Sequence, residues 1–167
     1  MITPAYCQTM AQYNAWQNNG LCEIVEKIDE DVLRFDRGAF FGSILGTLNH
    51  LLWGDLIWMA RFDSGVSPDS VISKSVDLTP TSSEWAIERL NTDNRIQMWA
   101  DNLQNTDLMG DLSWFSGSLK ADVTRPLATC ITHFFNHQTH HRGQIHAMLT
   151  AAGANLQATD LVFMPEA

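Results

Sequence analysis

Cysteine is scarce in this chain. Cys7, Cys22 and Cys130 are odd in number, far apart and not in C-x-x-C spacing. Neither a disulfide framework nor a cysteine zinc knuckle is expected, and the three read as reduced, partly buried thiols. Basic residues are few as well: ten Lys and Arg stand against nineteen Asp and Glu, for a net charge of −9. A duplex-binding surface needs clustered cations to displace counterions. The cations here are scattered, so neither nucleic acid nor an anionic membrane surface is an expected partner. No apolar run approaches the roughly 20 residues needed to cross a bilayer. Met1-Ile2-Thr3-Pro4 shows no basic and then apolar leader pattern, so a cytoplasmic location is expected. Repeats and low-complexity stretches are missing too.

What is present suits a folded chain. Apolar residues make up 45% of the 167 positions and charged residues only 17%, enough to build a core without staples. That length predicts a single domain over residues 1–167.

Hydrophobic spacing predicts four long helices. Thr3-Pro4 opens the first, with Thr as cap and Pro at the first helical position. Met10, Tyr13, Trp16, Leu21, Ile24, Val25 and Ile28 continue it, and Asn18-Asn19-Gly20 predict a bend. Asp29 to Arg37 reads as an acidic turn with one short helical turn. Ser43 caps a second helix to about Phe62, whose leucines and isoleucines cover more than one face and predict burial on most sides. Residues 63–80 read as a surface loop. A third helix starts at Thr81-Ser82-Ser83-Glu84, which has capping-box spacing, carries Trp85, Ile87, Leu90, Ile96, Trp99 and Leu103, and ends near Asn105. Gly110 to Arg125 reads as two short strands with a turn at Ser116-Gly117-Ser118. The fourth helix runs from about Pro126 to Ala152, where Gly153 suits a left-handed stop. The tail around Asp160-Leu161-Val162-Phe163 is expected to fold back. The predicted class is all-α, a four-helix bundle with a short β-hairpin before the last helix.

Five of the six histidines fall in the last helix: His133, His137, His140, His141 and His146. Residues four apart share a helix face, so His133, His137 and His141 form a stripe that drifts by about 40° per step. A pair four apart can reach one ion at a metal–nitrogen distance of about 2.0–2.1 Å. Three in a row cannot easily do so, because the outer two are two turns apart. A third ligand is then expected from another helix. His50, alone in an apolar helix, needs a partner there, and either a hydrogen bond or a metal would serve. Spacing alone supports His137 and His141 and leaves His133, His140 and His50 as rivals for the third place. His137-Gln138-Thr139-His140-His141 has the spacing of zinc proteases, but Gln138 stands where their general base Glu would be. No Glu-x-x-His pair of a di-iron bundle occurs. Peptide hydrolysis and di-iron chemistry are both disfavoured.

The chain resembles the DinB family over nearly its whole length. The resemblance rests on Tyr13-Asn14-Ala15-Trp16, Phe40-Phe41-Gly42-Ser43-Ile44, Thr47-Leu48-Asn49-His50-Leu51-Leu52, Asp55 followed by Trp58, and above all Asn136-His137-Gln138-Thr139-His140-His141-Arg142-Gly143-Gln144. It implies an up-down-down-up bundle with a pocket at one end. It also implies one divalent metal, zinc, nickel or similar, on His50, His137 and His141, and dimers through helix faces. His133 and His140 would then pack or orient their neighbours. The wider superfamily includes thiol-dependent transferases and an isomerase, which implies a small-molecule substrate and a low-molecular-weight thiol.

Three neutral imidazoles would leave an ion its full charge and an open position, the arrangement of a reactive rather than a closed structural site. Asp55, Thr139, Gln144 and Asn49 are candidates to orient the ligand rings. No general base is identifiable. The expected function is a metal-dependent enzyme of thiol-transfer or related nucleophilic chemistry. The alternative is a non-catalytic metal-binding or stress-associated bundle.

Overall fold

Three long helices begin where a side chain satisfies a free N–H group, and the last has no such cap. In the computed structural model, which describes residues 2–166, Thr3 Oγ1 accepts from Tyr6 N at 3.1 Å and opens α1, Pro4–Val25. A short α2, Glu30–Arg34, follows. Ser43 Oγ accepts from Gly46 N at 3.0 Å and opens α3, Ile44–Asp63. Thr81 Oγ1 does the same for Glu84 N at 3.2 Å at the head of α4, Ser82–Asn102. Strands β1, Asp111–Ser116, and β2, Ala121–Pro126, form an antiparallel hairpin with Ser116 opposite Ala121. The last helix, α5, runs over Leu127–Ala151, and Gly153 follows at φ 86°. The molecule is thus mostly helical with one small two-stranded sheet. No helix among the described residues is long and apolar enough to cross a membrane.

α3 is the central element. It packs against α4, α5 and α2, while α1 packs against α4. Its run from Ile44 to Leu52 is buried without interruption, as its all-round apolar character requires. One apolar cluster gathers Leu21, Val25, Leu45, Leu52, Trp85 and Leu149 near one end, and a second gathers Cys7, Met59, Ile96, Phe134 and Phe135 near the other.

Between the two lies a buried polar layer to which every long helix contributes. Arg89 of α4 reaches Asp55 of α3 at 2.6 Å and Asp93 at 2.8 Å. Asp93 accepts from Asn14 and Asn18 of α1, both at 3.0 Å. Gln138 of α5 donates to Asp55 at 3.1 Å, and Arg142 donates to Asn14. Two arginines against two aspartates balance, which is what allows such groups to be buried together.

The structure departs from the sequence expectations at several points. α1 runs unbroken through Asn18-Asn19-Gly20 and stops at Val25; Asn18 is fixed by Asp93 rather than by a bend. Ile87 and Leu90 of α4 are exposed, at 61% and 53%, because Arg89 and Asp93 occupy the inward face. α4 ends at Asn102, three residues early. The hairpin turn is longer than expected and includes Lys120 at φ 52°. Residues 63–80 are not simply a surface loop. Ile72–Asp77 forms a 3-10 turn against α3 and buries Ser75 completely. The tail folds back only as far as Thr159, whose carbonyl accepts from Tyr13 Oη at 2.5 Å; Leu161, Val162 and Phe163, expected to pack on the domain, are exposed.

Candidate metal centre

The face of α3 that carries His50 and Gly54 lies against the stripe of α5 that carries His137 and His141. One ring nitrogen from each of the three histidines lies within 4.8 Å of the other two. The Nε2 atoms of His137 and His141 are 3.1 Å apart. Two ligands at 2.0–2.1 Å from one tetrahedral ion would sit ~3.3 Å apart, so the pair is close to a ligating separation. His133 is not part of the group. Its ring packs on Trp58, with centroids 5.2 Å apart. His140 is exposed and accepts from Gln144 Nε2 at 3.2 Å. Of the rivals for the third place, His50 is the one the fold brings in.

Close approach of the two helices depends on Gly54. A Cβ at this position would stand 2.8 Å from His137 Cε1, nearer than such contacts normally come. A glycine in mid-helix costs about 1 kcal/mol relative to alanine, so its presence one turn after His50 was itself a signal of close packing. The flanking residues fix the register. Asp55 and Gln138, next in sequence to Gly54 and His137, are joined by the hydrogen bond of the polar layer. Position 138 therefore faces the interior, away from the three rings. Asp55, a candidate partner for His50, is fully occupied by Arg89 and Gln138.

Two of the three rings have their second nitrogen oriented. His141 Nδ1 donates to Gln144 Oε1 at 2.8 Å, which leaves Nε2 with a free lone pair. His50 Nδ1 lies 2.9 Å from Ser75 Oγ, on the segment that reads as loop in the sequence. Asn49 does not touch a ring. It pins that segment through Val76 O at 3.0 Å and Thr79 O at 2.9 Å. Thr139 bonds back to Phe135 O at 3.2 Å and plays no part in the cluster. Phe41 stacks on His50, with centroids 3.7 Å apart.

His137 completes the test of fit. Its buried Nδ1 meets no hydrogen-bond partner among the described residues. If its Nε2–H donates to His141, the Nδ1 lone pair is orphaned; if Nδ1 holds the proton, two Nε2 lone pairs face each other. A cation among the rings would draw on both Nε2 lone pairs and so relieve the second conflict, with the Nδ1–H of His137 left unpaired among the described residues. The rings are also kept neutral, as ligands must be. Burial pushes His50 down to about 4, aided by His141. Burial, and then His141 and His50, push His137 down to about 3. His141 is lowered by burial too, against the opposing pull of Gln144.

The fold and the cluster together define a class: a helical protein whose third and fifth helices gather three neutral imidazoles in an arrangement compatible with a divalent metal. The family model for the DinB family matches residues 1–167, and the chain belongs to that family. Protein DinB of Bacillus subtilis (strain 168) is 26% identical over 155 residues, covering 89% of this chain and 87% of the relative. The family read from the sequence motifs is therefore the right one.

Proposed function

We propose that this chain is a metal-dependent enzyme in which His50, His137 and His141 hold one divalent transition ion, zinc, nickel or similar. The observation that carries the reading is the number of ligands. Three imidazoles converge, and among the described residues no Cys, Asp or Glu joins them. Structural zinc sites close with four protein ligands, whereas reactive ones keep a position open. A divalent ion held by neutral ligands would act as a Lewis acid and favour the thiolate form of a bound thiol near neutral pH. Imidazole donors suit zinc and nickel alike.

The reaction that fits is transfer of a low-molecular-weight thiol to a small electrophilic substrate. Sulfur forms the new bond, the thiol proton leaves, and the displaced group departs with its electron pair. The residues around the rings hold them in place: Ser75 and Gln144 orient two, Gly54 admits the third, and Phe41 shields His50 from water. The reading extends to a single-domain, up-down-down-up four-helix bundle, working in the cytoplasm as a homodimer. Incubation of the metal-loaded protein with cellular thiols and an electrophile tests the activity. Turnover that vanishes in His137→Ala and after chelation is expected; no turnover with any common cellular thiol contradicts it.

A further inference from the structure

The rings of the centre are covered. His50 and His141 are only 5% and 7% exposed, so a ligand on its way to them must first displace something. Two aromatic side chains pack on His50. Phe41 stacks on it and also meets His141 edge-on, with centroids 5.4 Å apart. Trp53 lies at 6.2 Å, inclined by 25°. The two are held differently. The Trp53 indole N–H donates to the Ser70 carbonyl at 2.8 Å, so turning that ring breaks a hydrogen bond. The Phe41 ring has no polar atom, and apolar contact alone keeps it in place. Gln144, which borders His141, is tied to His141 and His140 at once.

The backbone of Phe41 is fixed even though its ring is not. A Cβ on Gly46 would stand 2.6 Å from the Phe41 carbonyl oxygen, so only glycine lets the chain lie this close on the first turn of α3. His50 comes one turn later, within reach of the Phe41 ring. The same carbonyl accepts from Ser43 N at 2.9 Å, and Arg37 N donates to Gly42 O at 2.8 Å across the loop. Movement is therefore left to the side chain, and there is room for it. A cavity of about 340 Å³ adjoins Phe41 and is lined also by Ser43, Leu45, Gly46 and Val76. A void of ~150 Å³ already takes benzene. Val76 follows Ser75, which holds His50 Nδ1, so the cavity lies next to the centre.

We propose that Phe41 decides which ligands reach the three histidines. Covering the rings is its resting position: there it stacks on His50, whereas the cavity is edged by the charged Arg34, Asp36 and Asp77, where an apolar ring gains less. When the ring turns into the cavity, the histidines are uncovered. A slim ligand passes. A bulky one needs the space that the turned ring fills, and is held back. The cover is a property of the folded chain alone; only its role as a filter for thiols rests on the metal reading.

The first test uses metal-free protein and diethyl pyrocarbonate, which acylates neutral imidazole. Peptide mapping by mass spectrometry follows His50 against His146, which lies beside Trp16 and away from the cluster. In the wild type His50 is expected to react at least ten-fold more slowly than His146. Phe41→Ala should speed His50 about ten-fold and leave His146 unchanged, while Phe41→Tyr, which keeps the ring, should preserve the protection. Cys7, fully buried in the other apolar cluster, reports on the fold and should stay closed to iodoacetamide. If it opens in Phe41→Ala, Phe41→Leu is read in its place, with a smaller rise expected. Equal His50 rates in the wild type and the folded variant overturn the cover. The second test uses cobalt-loaded protein and follows the thiolate–metal absorption band by stopped flow. With thioglycolate the wild-type rate should level off as concentration rises, because the ring must turn first; in Phe41→Ala it should climb without a plateau. Thiosalicylate, which carries the same groups on a benzene ring, should bind the wild type at least ten-fold more slowly than thioglycolate does, and Phe41→Ala at a similar rate. Rates and selectivity unchanged by Phe41→Ala overturn the filter. Protection of His50 without any cobalt spectrum refutes the metal reading alone and leaves the cover standing.

Discussion

At the scale of single residues, the centre depends on groups that hold ligands rather than on the ligands alone. Gly54→Ala places a methyl against His137. Overpacking of this kind costs about 1–3 kcal/mol, and the ring must move to relieve it. We expect metal affinity to fall at least ten-fold in a competition titration with a chelating dye; unchanged affinity would mean that helix approach at this position does not matter. Ser75→Ala removes the partner of His50 Nδ1 and should lower affinity by 10–100-fold, the usual effect of losing such a partner. The sign of the pH response follows from the depressed histidines. His50 and His137 are held down to about 4 and about 3, below the ~6.5 of an unfolded histidine. Their contribution to stability is thus complete above pH ~6.5 and is lost as pH falls toward the folded values. Urea melts of metal-free protein should show stability dropping between pH 7 and pH 5, and less steeply in His137→Asn. A flat profile in the wild type would contradict the neutral cluster.

At the scale of elements, α3 is joined to its neighbours by a charged layer. Removing one partner of a buried pair leaves the others uncompensated, at a cost of about 3–5 kcal/mol. Arg89→Met, which strands both Asp55 and Asp93, should lose stability of that order in urea, and adding Asp55→Asn and Asp93→Asn should restore part of it. A loss below 1 kcal/mol for the single change would show that the layer matters little. This layer is where the sequence was hardest to read. The helices themselves are legible from capping residues and apolar spacing. Arg89 and Asp93, four apart on a polar helix, look like an ordinary surface pair, while Ile87 and Leu90 look like core. The clue lay in Trp85 and Ile96, which share a face with Arg89 and Asp93. Reading that face as buried requires knowing that Asn14, Asn18 and Asp55 arrive from other helices. Ser75 was hidden for a similar reason: nothing local distinguishes one serine in a stretch rich in Ser, Asp and Pro. The histidines were legible because four-residue spacing has a geometric meaning within one helix, and His50 stood out in an apolar one.

At the scale of the molecule, the two apolar clusters bracket the polar layer, and the three histidines lie at its edge, where α3 and α5 come together. Metal binding should therefore act on the whole fold. An ion that binds the folded state and not the unfolded one stabilises it by about 4 kcal/mol at a thousand times its dissociation constant, so chelation should lower the melting temperature of the wild type and leave His137→Ala unmoved. The central claim, one divalent ion on His50, His137 and His141, is tested most directly by counting. Purified wild-type protein and His137→Ala, prepared together without chelators and dialysed against the same zinc and nickel, are analysed by mass spectrometry for metal per chain. The account predicts close to one ion per wild-type chain and a small fraction of that in the variant. Equal metal content in the two proteins would contradict it.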